Sequence, residues 1–388
     1  MKRSETRILT SHAGSLPRPQ DLIDLNRARA EGNVDAALLS QTLTRSVSEV
    51  VRRQAELGVD IVNDGEYGKA SRSTIDYGPW MSYAYERLTG WERGPASADN
   101  PLSRRRDRQI FPGAYSEITM SNATFAAASP AVFTGPIAYC GGDALKADIA
   151  NLKSALNGAN AEEAFMTSVA PGSFGRRQNR YYKTDEEFLF AVGDAMREEY
   201  RAIVDAGFVL QLDDPGLPDS WDMFNPEPAL ADYKRYAAAT LEALNHALAG
   251  LPADRIRYHI CWGSWHGPHT TDLPLRDIVD LLLTVRAGCF SVEAGNVRHE
   301  HEWKVWRDTK LPDGLVLMPG VVSHATNVVE HPEVVADRIV RYAGAVGREN
   351  VIAGTDCGLG GRVHAEIAWA KLQSLVAGAR LASGELWA

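Results

Sequence analysis

His259 and Cys261 stand two residues apart in "RYHICWGSWHGPH", at the end of an apolar run. On a β-strand alternate side chains share a face, so an imidazole and a thiol would point the same way. Further along, Glu293 ends the run "CFSVEAGN" and Cys357 ends "VIAGTDCGLG". One nitrogen, two sulfurs and one carboxylate form a donor set that suits zinc, whereas calcium and magnesium take oxygens alone. Taken singly, each cysteine reads as a small core hydrophobe and His259 as a satisfied buried histidine. Taken together they are metal ligands only if the fold gathers four strand ends at one place. Cys289 begins its strand, at the wrong end, and is read as core; Cys140 has no ligand-type neighbours.

The elements that could gather them recur along the chain as a short apolar strand, a polar ending and an amphipathic helix. The strand stretches are 8–17, 59–66, 164–173, 208–216, 256–264, 289–296, 315–323 and 351–360. Thr184 with Glu187 reads as a capping box ahead of Phe188, Val192 and Ile203, and Gly207 as the stop. Ile278, Leu281, Leu282 and Val285 are spaced for a helix lying on a sheet. Pro332 suits the first turn of a helix that buries Val335 and Ile339. Eight such units predict an α/β protein of the (β/α)8 TIM-barrel class, whose active sites lie where the strands end. A doubly wound sheet is disfavoured because no G-x-G-x-x-G follows a strand. The whole chain, 1–388, reads as one barrel, with residues 70–160 as an insertion or lobe after the second strand. Within that insertion Arg104, Arg105 and Arg106 read as solvated surface or a subunit contact, an anion site being the alternative.

Of 388 residues, 45% are hydrophobic and 23% charged, enough for a sizeable core. A net charge of −9 argues against general affinity for nucleic acid or an anionic membrane. The start "MKRSETRILTSHAGSLPRP" has no apolar run of signal-peptide length, and no later segment reaches transmembrane length. Four scattered cysteines do not make a disulfide framework, so a cytoplasmic protein using thiol or metal chemistry is expected.

The ordered motifs "HAGSLPRP", "NDGEYGK", "QLDDPGLP", "HIC", "SVEAGN", "PGVVS" and "GTDCGLG" resemble those of the cobalamin-independent methionine synthase superfamily, from Ser11 to Gly361. "GPHTTDLPL", "RHEHEW" and "VVEHPEVVADRI" are closer to single-barrel members such as epoxyalkane:coenzyme M transferase. The resemblance implies a (β/α)8 barrel in which Zn²⁺ is held by His259, Cys261, Glu293 and Cys357 and keeps a substrate thiol ionised. A free thiol with a pKa of about 8.5 is only slightly ionised at neutral pH, and a coordinating metal removes its proton. Two thiolates and a carboxylate more than neutralise the ion, which favours an electron-rich sulfur nucleophile over activation of water. Glu293 is the natural ligand to yield when the thiol arrives.

By the same comparison Ser15, Glu66 and Asp213 hold the amino-acid part of homocysteine, the two carboxylates facing its ammonium group. Their other reading is hydrogen bonding among the loops at the barrel mouth. Asp214, next to an inward residue, is expected to face away. His324 in "PGVVSHATN" lies one residue before the position of the family's proton-donating histidine. Arg18 and Lys69 are candidates for an anionic group on the substrate. His266, His269, His299 and His301 fall on loops after the fifth and sixth strands. The implied activity is transfer of a methyl or other alkyl group to a small-molecule thiol; the alkyl donor and any homo-oligomer are left open. Members that use folate polyglutamate have a second, N-terminal barrel, and the motifs here account for one. Opening of an epoxide by the thiolate is the alternative within this chemistry. A zinc hydrolase or lyase is less favoured, since such sites are rich in His and carboxylate.

Overall fold

The computed structural model describes residues 1–94, 104–117, 131–174 and 178–388. Eight parallel strands form a nearly closed barrel: β1 (Leu9–Thr10), β2 (Ile61–Val62), β3 (Glu163–Val169), β4 (Val209–Asp213), β5 (Ile256–Ile260), β6 (Cys289–Val292), β7 (Val316–Val322) and β8 (Ile352–Thr355). Neighbours follow chain order from β2 to β8, and β8 returns to β1. Between β1 and β2 the seam is held by Asp60 N–H donating to Thr10 O at 3.2 Å and Ser11 Oγ to Ile61 O at 3.1 Å. All eight strands coincide with the apolar runs read from the sequence.

Inside the barrel, at the end where the strands begin, Leu9, Ile61, Phe165, Val209, Cys289, Val316, Met318 and Ile352 pack as one layer. Cys289 belongs to it, as its position at a strand start implied. Above this layer lies the Arg257 guanidinium, 3.9 Å from the Phe165 ring centroid. It donates to Ser11 Oγ at 2.9 Å and His12 O at 3.3 Å, with Met318 Sδ 3.2 Å away. Burial pulls its pKa down to about 10. Outside the barrel, helices cover the apolar backs of the strands. Thr184 Oγ1 caps the helix Asp185–Asp205 by accepting from Glu187 N–H at 3.0 Å, while Glu187 reaches back to Lys183 N–H. Pro332 opens the helix Pro332–Val346, and Val335 and Ile339 are fully buried beneath it.

Two expectations need correction. The helix expected through Ile278–Val285 is one turn, Val279–Leu282, after the 3₁₀ turn Leu275–Asp277. Asn245 ends it by accepting from Arg286 N–H and donating to Thr284 O, although Ile278, Leu282 and Val285 are buried as the spacing implied. Arg104 is exposed, but Arg105 and Arg106 are not solvated surface. Arg105 grips Asp219 with two hydrogen bonds, 2.7 and 2.9 Å, and lies 3.7 Å over the Trp265 ring. Arg106 lies over Trp221 and donates to its carbonyl. Paired carboxylates and indole faces offset the loss of water, which a charge run in a sequence does not disclose. Next to them, Asp107 accepts from the backbone N–H groups of His269 and Thr270, so residues 105–107 tie the loops after β4 and β5 together.

Residues between β2 and β3 also supply the strand Trp91–Arg93, antiparallel to Ala131–Phe133, which pairs in parallel with Gln178–Asn179. The helix Gly142–Ala155 packs against Ala36–Leu57 in the outer ring. Among the described residues no helix is long and apolar enough to cross a membrane. Because Arg105 and Asp219 are both buried, removing one partner strands a charge. Arg105→Ala is expected to cost about 3 kcal/mol in urea unfolding, and a loss below about 0.5 kcal/mol would show that the pair does not hold the two loops.

Candidate metal and substrate site

Register places the first candidates. Asp213 on β4, His259 on β5 and Ser291 on β6 are successive cross-strand partners at one height in the barrel. His259 Nδ1 meets Ser291 Oγ at 2.9 Å, which orients the ring, and its buried Nε2 has no hydrogen-bond partner among the described residues. Cys261, one pleat on, and Cys357, two residues past the end of β8, come to that nitrogen's side. One ligand atom from each of His259, Cys261 and Cys357 lies within 4.8 Å of the other two. Of the two adjoining thiols Cys357 ionises first: a hydrogen bond from Cys261, then His259 and His324, hold it well below the usual range. The same bond, with burial, drives Cys261 up. Burial opposes protonation of His259, but Cys357 and Asp213 outweigh it and raise its pKa. An unpartnered buried imidazole nitrogen beside two thiols fits a metal ion with nitrogen and sulfur ligands.

Glu293 is placed differently from the other three. Its carboxylate groups within 4.8 Å of His324 and Asp356. Trp262 N–H donates to its Oε2 at 3.1 Å and Asn296 Nδ2 to its Oε1 at 2.8 Å. Because Trp262 follows Cys261 in the chain, its bond to Oε2 brings the carboxylate beside the strand end that carries that thiol. His324 is fully buried, and neither ring nitrogen has a hydrogen-bond partner among the described residues. Burial lowers its pKa against the pull of Cys357 and Glu293. Asp356 Oδ1 accepts from the Ala294 and Gly295 N–H groups, both at 2.7 Å, and so fixes the chain just after Glu293.

The expected substrate residues ring the same mouth. Lys69 Nζ lies 3.0 Å from Glu66 Oε1, and Thr167 Oγ1 lies 2.6 Å from both atoms. Burial alone would raise the Glu66 carboxyl; Lys69, Thr167 and Arg18 hold it below its ordinary range. Glu66 has a left-handed φ of 60°, and a Cβ at Gly14 would sit 2.7 Å from its Oε1, so that glycine makes room for the carboxylate. Arg18 donates to the carbonyls of Glu66 and Lys69 and to Ser15 Oγ, which commits it to shaping this loop. Ser15 Oγ also donates to Gly360 O at 3.4 Å, bringing it beside the segment that follows Cys357. Asp213 accepts from Gln211 at 2.7 Å and Trp80 at 3.3 Å, and burial raises it to about 6. Asp214 faces away, held by Tyr258 and Ser173.

Among the loop histidines, His301 is exposed and His266 half-buried. His269 and His299 are buried and share Asp272, each 2.9 Å from its Oδ2; they stack on Trp265 and Trp262. These two build the wall behind Glu293. Sequence reasoning missed Ser291 and Arg257, although each lies two residues from a candidate ligand on an inward face, a signal that strand parity carries.

A sequence profile described as "Cobalamin-independent synthase, Catalytic domain" matches residues 167–381. The chain belongs to this family. Curated relatives include a methionine synthase of Saccharolobus solfataricus, 25% identical over 97% of this chain and 95% of its own length. Another is the 2-hydroxypropyl-CoM lyase of Xanthobacter autotrophicus, 23% identical over 100% and 98%. Among solved structures, a B12-independent methionine synthase from Shewanella sp. W3-18-1 in complex with selenomethionine has the same fold. It superposes with a TM-score of 0.73 at 20% identity over 98% of this chain and 99% of that one. All four candidate ligands of this family member fall within the profile match; Ser15, Arg18, Glu66 and Lys69 precede it.

The wall histidines give a pH prediction. Burial disfavours charge on His299, but hydrogen bonds to Asp272 and Glu302 raise its pKa to about 10. A group raised on folding lends stability in full below its unfolded pKa, near 6.5, and loses it as pH climbs through the folded value. Imidazole NMR should find His299 protonated at about pH 8. Between about pH 7 and 10 wild type should lose more stability than His299→Gln; parallel curves would contradict the assignment.

Proposed function

We propose that this protein is a thiol alkyltransferase that uses zinc held by His259, Cys261 and Cys357, with Glu293 as the fourth and exchangeable ligand. The convergence of the first three donors, with His259 Nε2 buried and unpartnered among the described residues, carries this reading. Membership of the cobalamin-independent synthase family and relatives named methionine synthase support it. Zinc bound there would supply what the bare chain lacks, a means of keeping a substrate thiol ionised at neutral pH.

The chain's own residues do the rest. Glu293 has hydrogen-bond donors of its own in Trp262 and Asn296, so its carboxylate has partners to keep when it yields a place to sulfur. For an amino-acid thiol such as homocysteine, Asp213 and the Oε2 of Glu66 are the ammonium acceptors, since Lys69 and Thr167 occupy Oε1. His324 is the proton donor to the leaving atom of the alkyl donor; its two unpartnered ring nitrogens are free for that exchange. Lys69 already neutralises part of the acidic pair, and this favours a second reading in which the electrophile is an epoxide and the thiol has no ammonium group. The relative named 2-hydroxypropyl-CoM lyase accords with that alternative.

Metal analysis should find stoichiometric zinc in wild type and little in Cys357→Ser or His259→Gln; undiminished zinc in either variant removes that residue from the set. X-ray absorption with added thiol should gain a sulfur neighbour at roughly 2.3 Å. An unchanged shell across homocysteine, coenzyme M and glutathione would defeat thiol activation. His324→Gln should retain zinc and thiol binding but slow alkyl transfer on the order of 10²-fold; an unaltered rate would exclude it as the acid.

A further inference from the structure

Of the cations that reach the barrel mouth, most are already occupied. Lys69 is paired with Glu66, Arg18 with two loop carbonyls, and Arg105 with Asp219. Arg362, in "GLGGR" just past Cys357, is held without any such neutralisation. Its Nε donates to Ser264 Oγ at 2.7 Å on the loop after β5. Its Nη1 donates to Asp76 O at 2.8 Å on the loop after β2 and to Gly361 O at 3.3 Å. The guanidinium lies 4.1 Å over the Tyr77 ring. No carboxylate of the described residues forms an ion pair with it, and Nη2 makes no hydrogen bond among them. The nearby Asp76 carboxylate is spent on its own loop, accepting from Ser71, Arg72 and Gly78.

Arg362 therefore has its charge fixed by three loops, at little ordering cost on binding, with Nη2 uncommitted. Gly361, at φ 76°, gives the turn that presents it, and Asp76 N–H donates to Gly361 O at 3.2 Å. It is also close to the chemistry: the Tyr77 ring it covers lies 6.3 Å from the His266 ring, and His266 Nε2 meets the His324 carbonyl at 3.2 Å. Ser15, a candidate substrate contact, donates to the carbonyl of Gly360 two residues before it.

We propose that Arg362 recognises a negatively charged end, a carboxylate or sulfonate, on the thiol substrate. This rests on the thiol-transfer reading and narrows its substrates to anionic thiols, with the N–H groups of the uncommitted Nη2 of Arg362 donating to the anion. Arg362 is a binding residue here and moves no proton.

The test uses the full chain loaded with cobalt(II), whose visible spectrum reports sulfur joining the metal. Wild type should bind mercaptopropionate and mercaptoethanesulfonate on the order of tenfold more tightly than neutral mercaptoethanol. Arg362→Gln should erase that preference while leaving mercaptoethanol binding and metal content unchanged, and Arg362→Lys should restore part of it. The relative affinities of the two anions tell carboxylate from sulfonate. Equal binding of charged and neutral thiols by wild type, or equal weakening of all three in Arg362→Gln, overturns the proposal. If no thiol alters the spectrum, the transfer reading fails on its own. The anion site is then judged by calorimetry with propanesulfonate, where equal heats from wild type and Arg362→Gln would overturn it too.

Discussion

The site depends on the in-register pairing of β4, β5 and β6. It sets Asp213, His259 and Ser291 at one height and lets the two-residue pleat carry Cys261 to the same face as His259. Parallel strands in a closed barrel leave little freedom to slip, because a shift of one residue turns every inward side chain outward. The hydrogen bond between His259 Nδ1 and Ser291 Oγ then fixes the ring, and the remaining nitrogen can point only into the mouth. Cys357 arrives from the far side of the barrel as β8 closes the ring, so the donor set exists only once the whole barrel has formed.

Around that centre the protein manages an unusual amount of buried charge. Glu66 is answered by Lys69, Arg105 by Asp219, and His299 by Asp272 and Glu302. Arg105–Asp219 and His299–Asp272 join different loops, while Lys69–Glu66 and His299–Glu302 brace single ones, so neutralising the charge also sets the shape of the mouth. Isolated charges at this depth would be costly, and the pairing makes them part of the scaffold. Among the described residues His259 Nε2, both His324 nitrogens and Asp356 Oδ2 lack partners, as do Arg18 Nε and Gln211 Oε1 nearby. The unpaired imidazole nitrogens, gathered with thiols and carboxylates, mark where a ligand would complete the structure.

Much of this was legible beforehand because the barrel writes its period into the chain: eight apolar runs, each ending in polar residues, become eight strands with those residues at the mouth. The same parity argument placed His259 and Cys261 together and turned Asp214 away. What could not be read depended on contacts between distant loops. Arg105 and Arg106 look like surface because their partners, Asp219 and Trp221, lie more than a hundred residues on. The helix at Val279–Leu282 is short because Asn245, on another helix, ties off its end. Glu293 was placed correctly at a strand end, yet its grouping with His324 and Asp356 follows from how the loops after β6, β7 and β8 fold over one another.

The Arg257 guanidinium, wedged across the bore between Phe165 and the carbonyl of His12, has a consequence for traffic. With the lower half of the barrel stoppered by that cation and the apolar layer beneath it, nothing can pass through from below. In the transfer proposed above, thiol and alkyl donor would share one doorway, and the reactant that lies deeper would have to come in first and go out last.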